Sequence, residues 1–131
     1  MDIKQFIGKS QLSAIRSASR GEEGEYFKAK MKALEIQIDT MPKTYETDGQ
    51  GDEAPATLHY FRGGSDWYIV EKDMEDEQLQ AFGFACLNGD YQNAELGYIS
   101  IQELIQFGVE LDLYYKPQTI GEIKRKFQHA A

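Results

Sequence analysis

The sequence predicts an α+β domain: an antiparallel sheet of about five strands with two N-terminal helices, one short inserted helix and a C-terminal helix. Three observations predict it. Residues 22–40 repeat apolar side chains at helical spacing. Residues 56–99 hold short aromatic and β-branched runs separated by turn residues, which is typical of an antiparallel meander. Residues 119–128 begin with a capping sequence and end in a basic run. A chain of 131 residues has the length of one domain, residues 1–131.

Two helices are predicted before the sheet. Ser10 is the expected cap of a short helix from Gln11 to Ser19. A longer helix is expected from Glu22 to Thr40, and Pro42 ends it. Its apolar stripe recurs at steps of four and three and consists of Phe27, Met31, Leu34, Ile38 and Met41.

A polar loop is predicted over residues 42–55. It contains two glycines and several acidic side chains, so it has little to bury. Loops of this length in small domains are often functional.

Four strands are predicted in succession: Ala56–Phe61, Asp66–Glu71, Leu79–Leu87 and Glu95–Ile99. Gly63-Gly64 suits the tight turn of a hairpin between the first two. Residues 72–78 form a second acidic connection. Short turns between consecutive strands indicate antiparallel pairing, with the helices packed on one face.

The C-terminal third is predicted from its caps. Ser100 is expected to cap a short helix, Ile101–Gln106. Alternation over Val109–Tyr115 predicts a fifth strand. Thr119 and Glu122 form a capping box for a last helix that runs to about Gln128.

Charged residues are distributed unevenly along the chain. The net charge is −8, and residues 42–112 contain fifteen acidic and three basic residues. Such a segment disfavours direct nucleic-acid binding and favours a basic protein partner.

The single cysteine, Cys86, lies in an apolar run and is expected to be a buried small hydrophobe. The first ten residues lack the apolar stretch of a signal peptide and no run is long enough for a membrane span, so we expect a cytoplasmic protein with no membrane contact.

Catalytic and metal sites are weakly indicated, and we expect a non-enzymatic protein without a cofactor. His59 lies within a predicted strand, where Asp66 or Glu71 are the carboxylates that could orient it. The spacing of Asp48, Gln50 and Asp52 matches three ligand positions of an EF-hand loop. The match fails further on, because Glu53 replaces the required glycine and His59 the final glutamate. No metal ligands are therefore predicted, and no phosphate-binding glycine motif is present.

Several segments carry a resemblance to a known family. They are Met41-Pro42-Lys43-Thr44-Tyr45-Glu46, Asp48-Gly49-Gln50-Gly51-Asp52-Glu53, Leu58-His59-Tyr60-Phe61, Ser65-Asp66-Trp67-Tyr68-Ile69-Val70-Glu71-Lys72-Asp73, Gln80-Ala81-Phe82-Gly83 and Glu95-Leu96-Gly97-Tyr98-Ile99-Ser100. From about Phe6 to Tyr115 the chain resembles an uncharacterised family of small accessory proteins and domains encoded on plasmids, prophages and integrative elements. The resemblance implies an origin in bacterial mobile DNA, and it supplies no catalytic residues.

These observations lead to one functional prediction and one alternative. The prediction is a counter-defence protein that uses charge complementarity to inhibit a CRISPR effector or a restriction enzyme, through the basic nucleic-acid-binding surface of that host protein. The predicted contact residues are Asp48, Asp52, Glu53, Asp73, Glu75, Asp76 and Glu77, with Tyr45 and Tyr91 as aromatic anchors. The alternative is an accessory module that binds a small ligand or peptide, with residues 42–55 folded over a pocket lined by His59, Trp67 and Tyr98. The sequence leaves the oligomeric state open.

Overall fold

The structure is a computed structural model that describes residues 2–129. Its fold is α+β, as the sequence predicts. The four α-helices are α1 (Lys9–Ala18), α2 (Gly24–Thr40), α3 (Ile101–Gln106) and α4 (Ile120–His129). The seven strands are β1 (Pro55–Ala56), β2 (Leu58–Arg62), β3 (Ser65–Glu71), β4 (Ala81–Cys86), β5 (Glu95–Ile99), β6 (Glu110–Leu111) and β7 (Gln118–Thr119).

Five of the strands form one antiparallel sheet, in the order β5-β4-β3-β2-β6. The predicted hairpin is confirmed, because Arg62 pairs with Ser65 across Gly63-Gly64. The remaining two strands, β1 and β7, form a small second sheet that the sequence analysis did not predict.

The prediction of one continuous strand over Ala56–Phe61 is wrong, because the segment forms two strands in different sheets. It divides at Thr57, whose amide donates to the Ile69 carbonyl at 2.8 Å, so that Pro55–Ala56 turns away to pair with β7. The fifth predicted strand is also too long. Only Glu110–Leu111 pairs with β2, and the Asp112 carboxylate then accepts the Tyr114 amide at 2.9 Å, which turns the chain.

The capping predictions have mixed outcomes. The Ser100 hydroxyl accepts the Glu103 amide at 3.1 Å, and the hydroxyl of Thr119 accepts the Glu122 amide at 3.2 Å, so both predicted caps are confirmed. The Ser10 cap is wrong, since α1 begins at Lys9, two residues earlier than predicted, with Gly8 at its N-cap.

The two faces of the sheet are both covered, which corrects the prediction that all helices pack on one face. Strand alternation places Ile69 on the face packed against α1 and α2, and Tyr68 on the opposite face. The α4 residues Ile120 and Ile123 are fully buried against Tyr68 on that second face. The domain therefore has two hydrophobic cores separated by one sheet.

Candidate protein-binding surface

Two acidic loops lie side by side at one end of the large sheet, where β3 ends and β4 begins. We call this region the acidic end: residues 43–53 form its first loop, and residues 72–80 form its second. Backbone hydrogen bonds join them, from the Thr44 amide to the Lys72 carbonyl and from the Lys72 amide to the Pro42 carbonyl, both at 2.9 Å. The Thr44 hydroxyl also donates to the Gln80 carbonyl at 3.3 Å. The start of the first acidic loop is thus joined to the second acidic loop at this end of the sheet.

The buried carboxylate of Glu71 holds the first loop in place. Its carboxylate accepts the Tyr45 amide at 2.8 Å, the Thr47 amide at 2.9 Å and the Thr47 hydroxyl. Glu71 is only 3% exposed, so these three donors replace the water that the carboxylate loses. Glu71 was expected as one of two carboxylates that could orient His59, and its role in holding this loop was not predicted.

Lys72 connects the same region to α2. Its ammonium donates to the Ile38 carbonyl at 2.7 Å and to the Asp39 carbonyl at 3.2 Å, which satisfies two carbonyls of the last helical turn. Burial lowers the pKa of Lys72, and the nearby Asp39 carboxylate partly offsets that effect. This lysine neutralises little of the outer acidic surface because its side chain points inward.

The second loop is braced by its own side chains. The Asp73 carboxylate accepts the Glu75 amide at 3.1 Å and the Gln80 amide at 3.0 Å. The buried Gln78 side chain accepts the Asp73 amide at 2.9 Å and donates to the Glu75 carbonyl at 3.1 Å. Asp73 therefore holds the loop in shape, and the acidic residues next to it are left to face solvent.

The seven predicted contact carboxylates divide into two groups. Asp73 is used within its loop, and Asp52 forms an ion pair with Lys124 at 2.7 Å. The other five are exposed and, within residues 2–129, have no hydrogen bond or ion pair to their carboxylates. They are Asp48, Glu53, Glu75, Asp76 and Glu77.

An exposed tyrosine pair joins the first loop of the acidic end to the edge strand β5. The hydroxyls of Tyr45 and Tyr98 lie 2.8 Å apart, and each residue is more than half exposed. Tyr98 also packs edge-on against Phe82, and the hydrogen bond to Tyr45 raises the pKa of Tyr98. Tyr45 has a positive φ of 73°, a strained conformation for a residue with a large side chain. This pairing was not predicted, because the two residues lie 53 positions apart.

Tyr91, the other predicted anchor, lies elsewhere. It begins a short 3-10 turn before β5 and lines a groove with Phe84 and Phe127. The Tyr45–Tyr98 pair meets β5 at its opposite end, so the structure does not bring Tyr91 together with Tyr45.

The residues of the alternative ligand pocket are also separated. His59 lies on the α4 face of the sheet, where it stacks on Tyr68 at 4.5 Å between ring centroids. Trp67 packs against the core on the opposite face, and Tyr98 is exposed on the edge strand. The three do not line one cavity, and residues 43–53 lie over the end of the sheet instead.

His59 lies between two carboxylates. Its Nε2 is 2.7 Å from Asp66 Oδ1 and its Nδ1 is 3.0 Å from Asp112 Oδ2. Asp66 is one of the two predicted partners, whereas Asp112 was not predicted because it is 53 residues distant in sequence. A neutral ring carries one N–H, so only a doubly protonated ring donates to both carboxylates. With both nitrogens engaged, the ring joins β2, β3 and the segment after β6.

The thiol and phenols around His59 are held in their neutral forms. Burial raises the pKa of the Cys86 thiol, and the Asp66 carboxylate adds to that increase. Burial likewise raises the pKa of the Tyr68 phenol above its ordinary range, and it raises the pKa of Tyr115 to about 12. None of these three groups is activated as a nucleophile.

Burial of tyrosines predicts a loss of stability at alkaline pH. The pKa values of Tyr60, Tyr68 and Tyr115 are raised above their ordinary 10.0, so the folded chain holds these protons more tightly than the unfolded chain. The three tyrosines contribute fully to the free energy of unfolding below pH 10.0, and this contribution is lost as the pH rises through their pKa values in the folded chain. The pKa of Lys72 is lowered from 10.5, so this residue makes the free energy of unfolding rise with pH, but only below pH 10.5.

Urea unfolding at a series of pH values checks this prediction. We expect the free energy of unfolding to fall above pH 10.0, with a shallower slope for Tyr115→Phe than for the wild type. A free energy that stays level from pH 10.0 to pH 12 would contradict it.

Comparison with protein-family models, curated proteins and solved structures gives no match for this chain. Across residues 2–129, no group of three or more His, Cys, Asp or Glu side chains is arranged to bind a metal ion. None of the helices described is long and apolar enough to cross a membrane.

Proposed function

We propose that the acidic end binds the basic nucleic-acid-binding surface of a protein partner. The observation that supports this most strongly is the set of five exposed carboxylates without partners on two loops that are joined and braced from within. Carboxylates without partners of their own keep their charge available to the arginines and lysines of another protein. Because the loops are already ordered, binding costs little conformational entropy.

The tyrosine pair supports a protein partner rather than a metal ion or a small molecule. Tyr45 and Tyr98 offer apolar ring surface together with hydroxyls near the Asp48 carboxylate, whose charge adds to the raised pKa of Tyr98. Interfaces commonly use tyrosine in this way, since it buries a large area and loses few rotamers. The proposed contact is therefore an aromatic anchor flanked by a field of negative charge.

The proposed partner class is a nuclease or effector complex of a host defence system, such as a CRISPR effector or a restriction enzyme in the cytoplasm. Such proteins use arginine and lysine to hold phosphates, and closely spaced carboxylates compete for the same groups. The choice of this class depends on the resemblance to mobile-element proteins. The acidic end itself supports the broader class of basic, nucleic-acid-handling proteins.

Binding is favoured over catalysis because of how His59 is held. A general base needs a free ring nitrogen within reach of a substrate proton, and both nitrogens of His59 already contact carboxylates. We therefore assign the Asp66–His59–Asp112 cluster to joining strands.

A pair of charge-matched variants tests the proposal. One variant changes Asp48→Asn, Glu75→Gln, Asp76→Asn and Glu77→Gln in the acidic end. The control changes Glu22→Gln, Glu23→Gln, Glu95→Gln and Glu110→Gln, which are exposed acids outside it. Both lose four negative charges, so any difference between them reports the location of the charge and not its total.

The probe is an arginine-rich peptide titrated into labelled protein, with binding followed by NMR chemical shifts and calorimetry. We expect shifts centred on residues 45–48 and 73–77, an affinity that falls with salt, and a loss of about tenfold or more in the acidic-end variant only. Equal losses in both variants, or shifts scattered over the whole surface, would contradict the proposal.

A further inference from the structure

A second charged surface lies along α1. A groove of about 680 Å³ runs between the N-terminal segment, α1 and the end of α3. Its charged lining residues are Lys4, Lys9, Arg16 and Arg20, and no acidic side chain lines it. In a chain of net charge −8, a groove with four cations and no acid is a local reversal of the overall charge. We call this surface the basic groove.

The basic groove also has an apolar floor. Ile7, Leu12 and Ile105 line its base. Ile7 and Leu12 are almost fully buried, so the half-buried Ile105 and the methylene stems of the surrounding lysines and arginines provide most of its accessible apolar surface. An occupant that suits the groove therefore needs both hydrocarbon and negative charge.

The cations are available to such an occupant. Within residues 2–129, none of the four forms an ion pair, and the guanidinium of Arg20 only donates to the Ser17 hydroxyl at 3.3 Å. All four side chains belong to exposed residues. Cations without partners around an apolar floor favour binding of an anion with an apolar side.

The spacing of the cations indicates an extended occupant. Lys9 and Arg16 are seven residues apart on α1, which is about 10 Å along a helix. Past Arg16 a second cavity of about 430 Å³ continues between α1 and α2. Lys28, Lys32 and Glu35 are the other charged residues on its wall, and Lys28 pairs with Glu25 at 3.6 Å. A single carboxylate headgroup cannot reach cations this far apart, whereas a segment that carries several carboxylates can.

The lining argues against nucleic acid as that polyanion. Single strands are held by aromatic side chains on which bases stack, and no aromatic residue lines either cavity. An apolar floor beneath cations instead suits a helix with an aliphatic stripe and acidic flanks.

We propose that the basic groove docks an acidic amphipathic helix of a partner protein. The aliphatic stripe of that helix lies on Ile105 and the methylene stems beside it, above the buried Ile7 and Leu12, and its carboxylates contact Lys9 and Arg16. This site lies on the α1 side of the domain and uses none of the residues of the acidic end. The protein thereby has two binding surfaces of opposite charge.

The probe is a synthetic, fluorescently labelled helical peptide with leucines three and four positions apart and glutamates elsewhere. Its matched control has serine in place of leucine. Binding is measured by fluorescence anisotropy to the wild type, to Lys9→Glu/Arg16→Glu and to the control Lys116→Glu/Lys126→Glu, whose exposed lysines lie outside the groove. Circular dichroism confirms that each variant is folded.

We expect the leucine peptide to bind the wild type and the control variant alike, and to lose about tenfold or more in affinity for the groove variant. The serine peptide should bind weakly, because it has no apolar stripe. The proposal is overturned if the leucine peptide does not bind, if the groove variant binds it unchanged, or if both peptides bind equally. It is also overturned if single-stranded DNA competes the peptide away from the groove, or if the chain self-associates and the groove variant abolishes that association.

Discussion

Gly83→Ala should destabilise the domain by about 3 kcal/mol or more, the largest effect of any single methyl group added to the sheet. Gly83 lies in β4 opposite Ile69, beside the irregularity in the register of β3. A Cβ built there would lie 2.0 Å from the Tyr68 carbonyl oxygen and 3.0 Å from the Ile69 Cα. Both atoms belong to the backbone of the central strand, so the clash cannot be relieved by rotating a side chain.

Gly97→Ala is the matched control for that change. Gly97 pairs directly with Gly83 across β4 and β5, yet a Cβ at Gly97 meets no atom within 4 Å. We expect its stability to be unchanged or higher by up to about 1 kcal/mol, since alanine restricts the unfolded chain. Urea denaturation of both variants checks the pair. A loss below about 1 kcal/mol at Gly83, or equal losses at both positions, would contradict the account of the sheet.

Glu71→Gln should cost about 2–4 kcal/mol and release the first loop of the acidic end. The glutamine amide group replaces one carboxylate oxygen with a donor, which then faces the donors of Tyr45 or Thr47. Because the site is buried, a donor left without an acceptor there has no water to replace it.

Hydrogen exchange separates a local effect from a global one. The amides of Tyr45 and Thr47 should lose their protection in Glu71→Gln, while Glu77→Gln, an exposed neighbour, should keep it and change stability by no more than about 0.5 kcal/mol. Unchanged protection of those two amides in Glu71→Gln would show that the carboxylate does not hold the loop.

The parts of the fold that the sequence predicts well are governed by local chemistry. The stripe over Phe27–Met41 specifies α2, and the caps at Ser100 and Thr119 specify where α3 and α4 begin. In each case the interacting residues are at most four positions apart. Local patterns of this kind are visible in a single sequence.

The errors arise where distant segments decide the structure. Alternation over Val109–Tyr115 is compatible with a strand, yet only Glu110–Leu111 pairs with β2 as a strand. The Asp112 amide still donates to the His59 carbonyl at 2.8 Å, and the chain then turns. The break at Thr57 depends on pairing between β1 and β7, which are separated by more than 60 residues. The position of α4 on the second face depends on Tyr68 and Phe84, which alternation alone does not assign to either core.

The candidate site divides in the same way. Composition shows that residues 42–53 and 72–78 are acidic, and the structure places the two loops together. The link made by Glu71 joins residues 24 and 26 positions apart, and the Tyr45–Tyr98 contact joins residues 53 apart. No spacing rule predicts contacts at such separations, so the sequence alone did not identify the groups that hold the surface in place.

The central claim is that the acidic end occupies a surface that otherwise holds nucleic acid. Displacement of labelled DNA from purified restriction enzymes and CRISPR effectors tests it most directly. We predict that a target enzyme releases its DNA in proportion to the protein added, and that the Asp48→Asn/Glu75→Gln/Asp76→Asn/Glu77→Gln variant fails to release it while the charge-matched control succeeds. Binding to none of these enzymes, or a ternary complex in which the enzyme keeps its DNA, would contradict the claim.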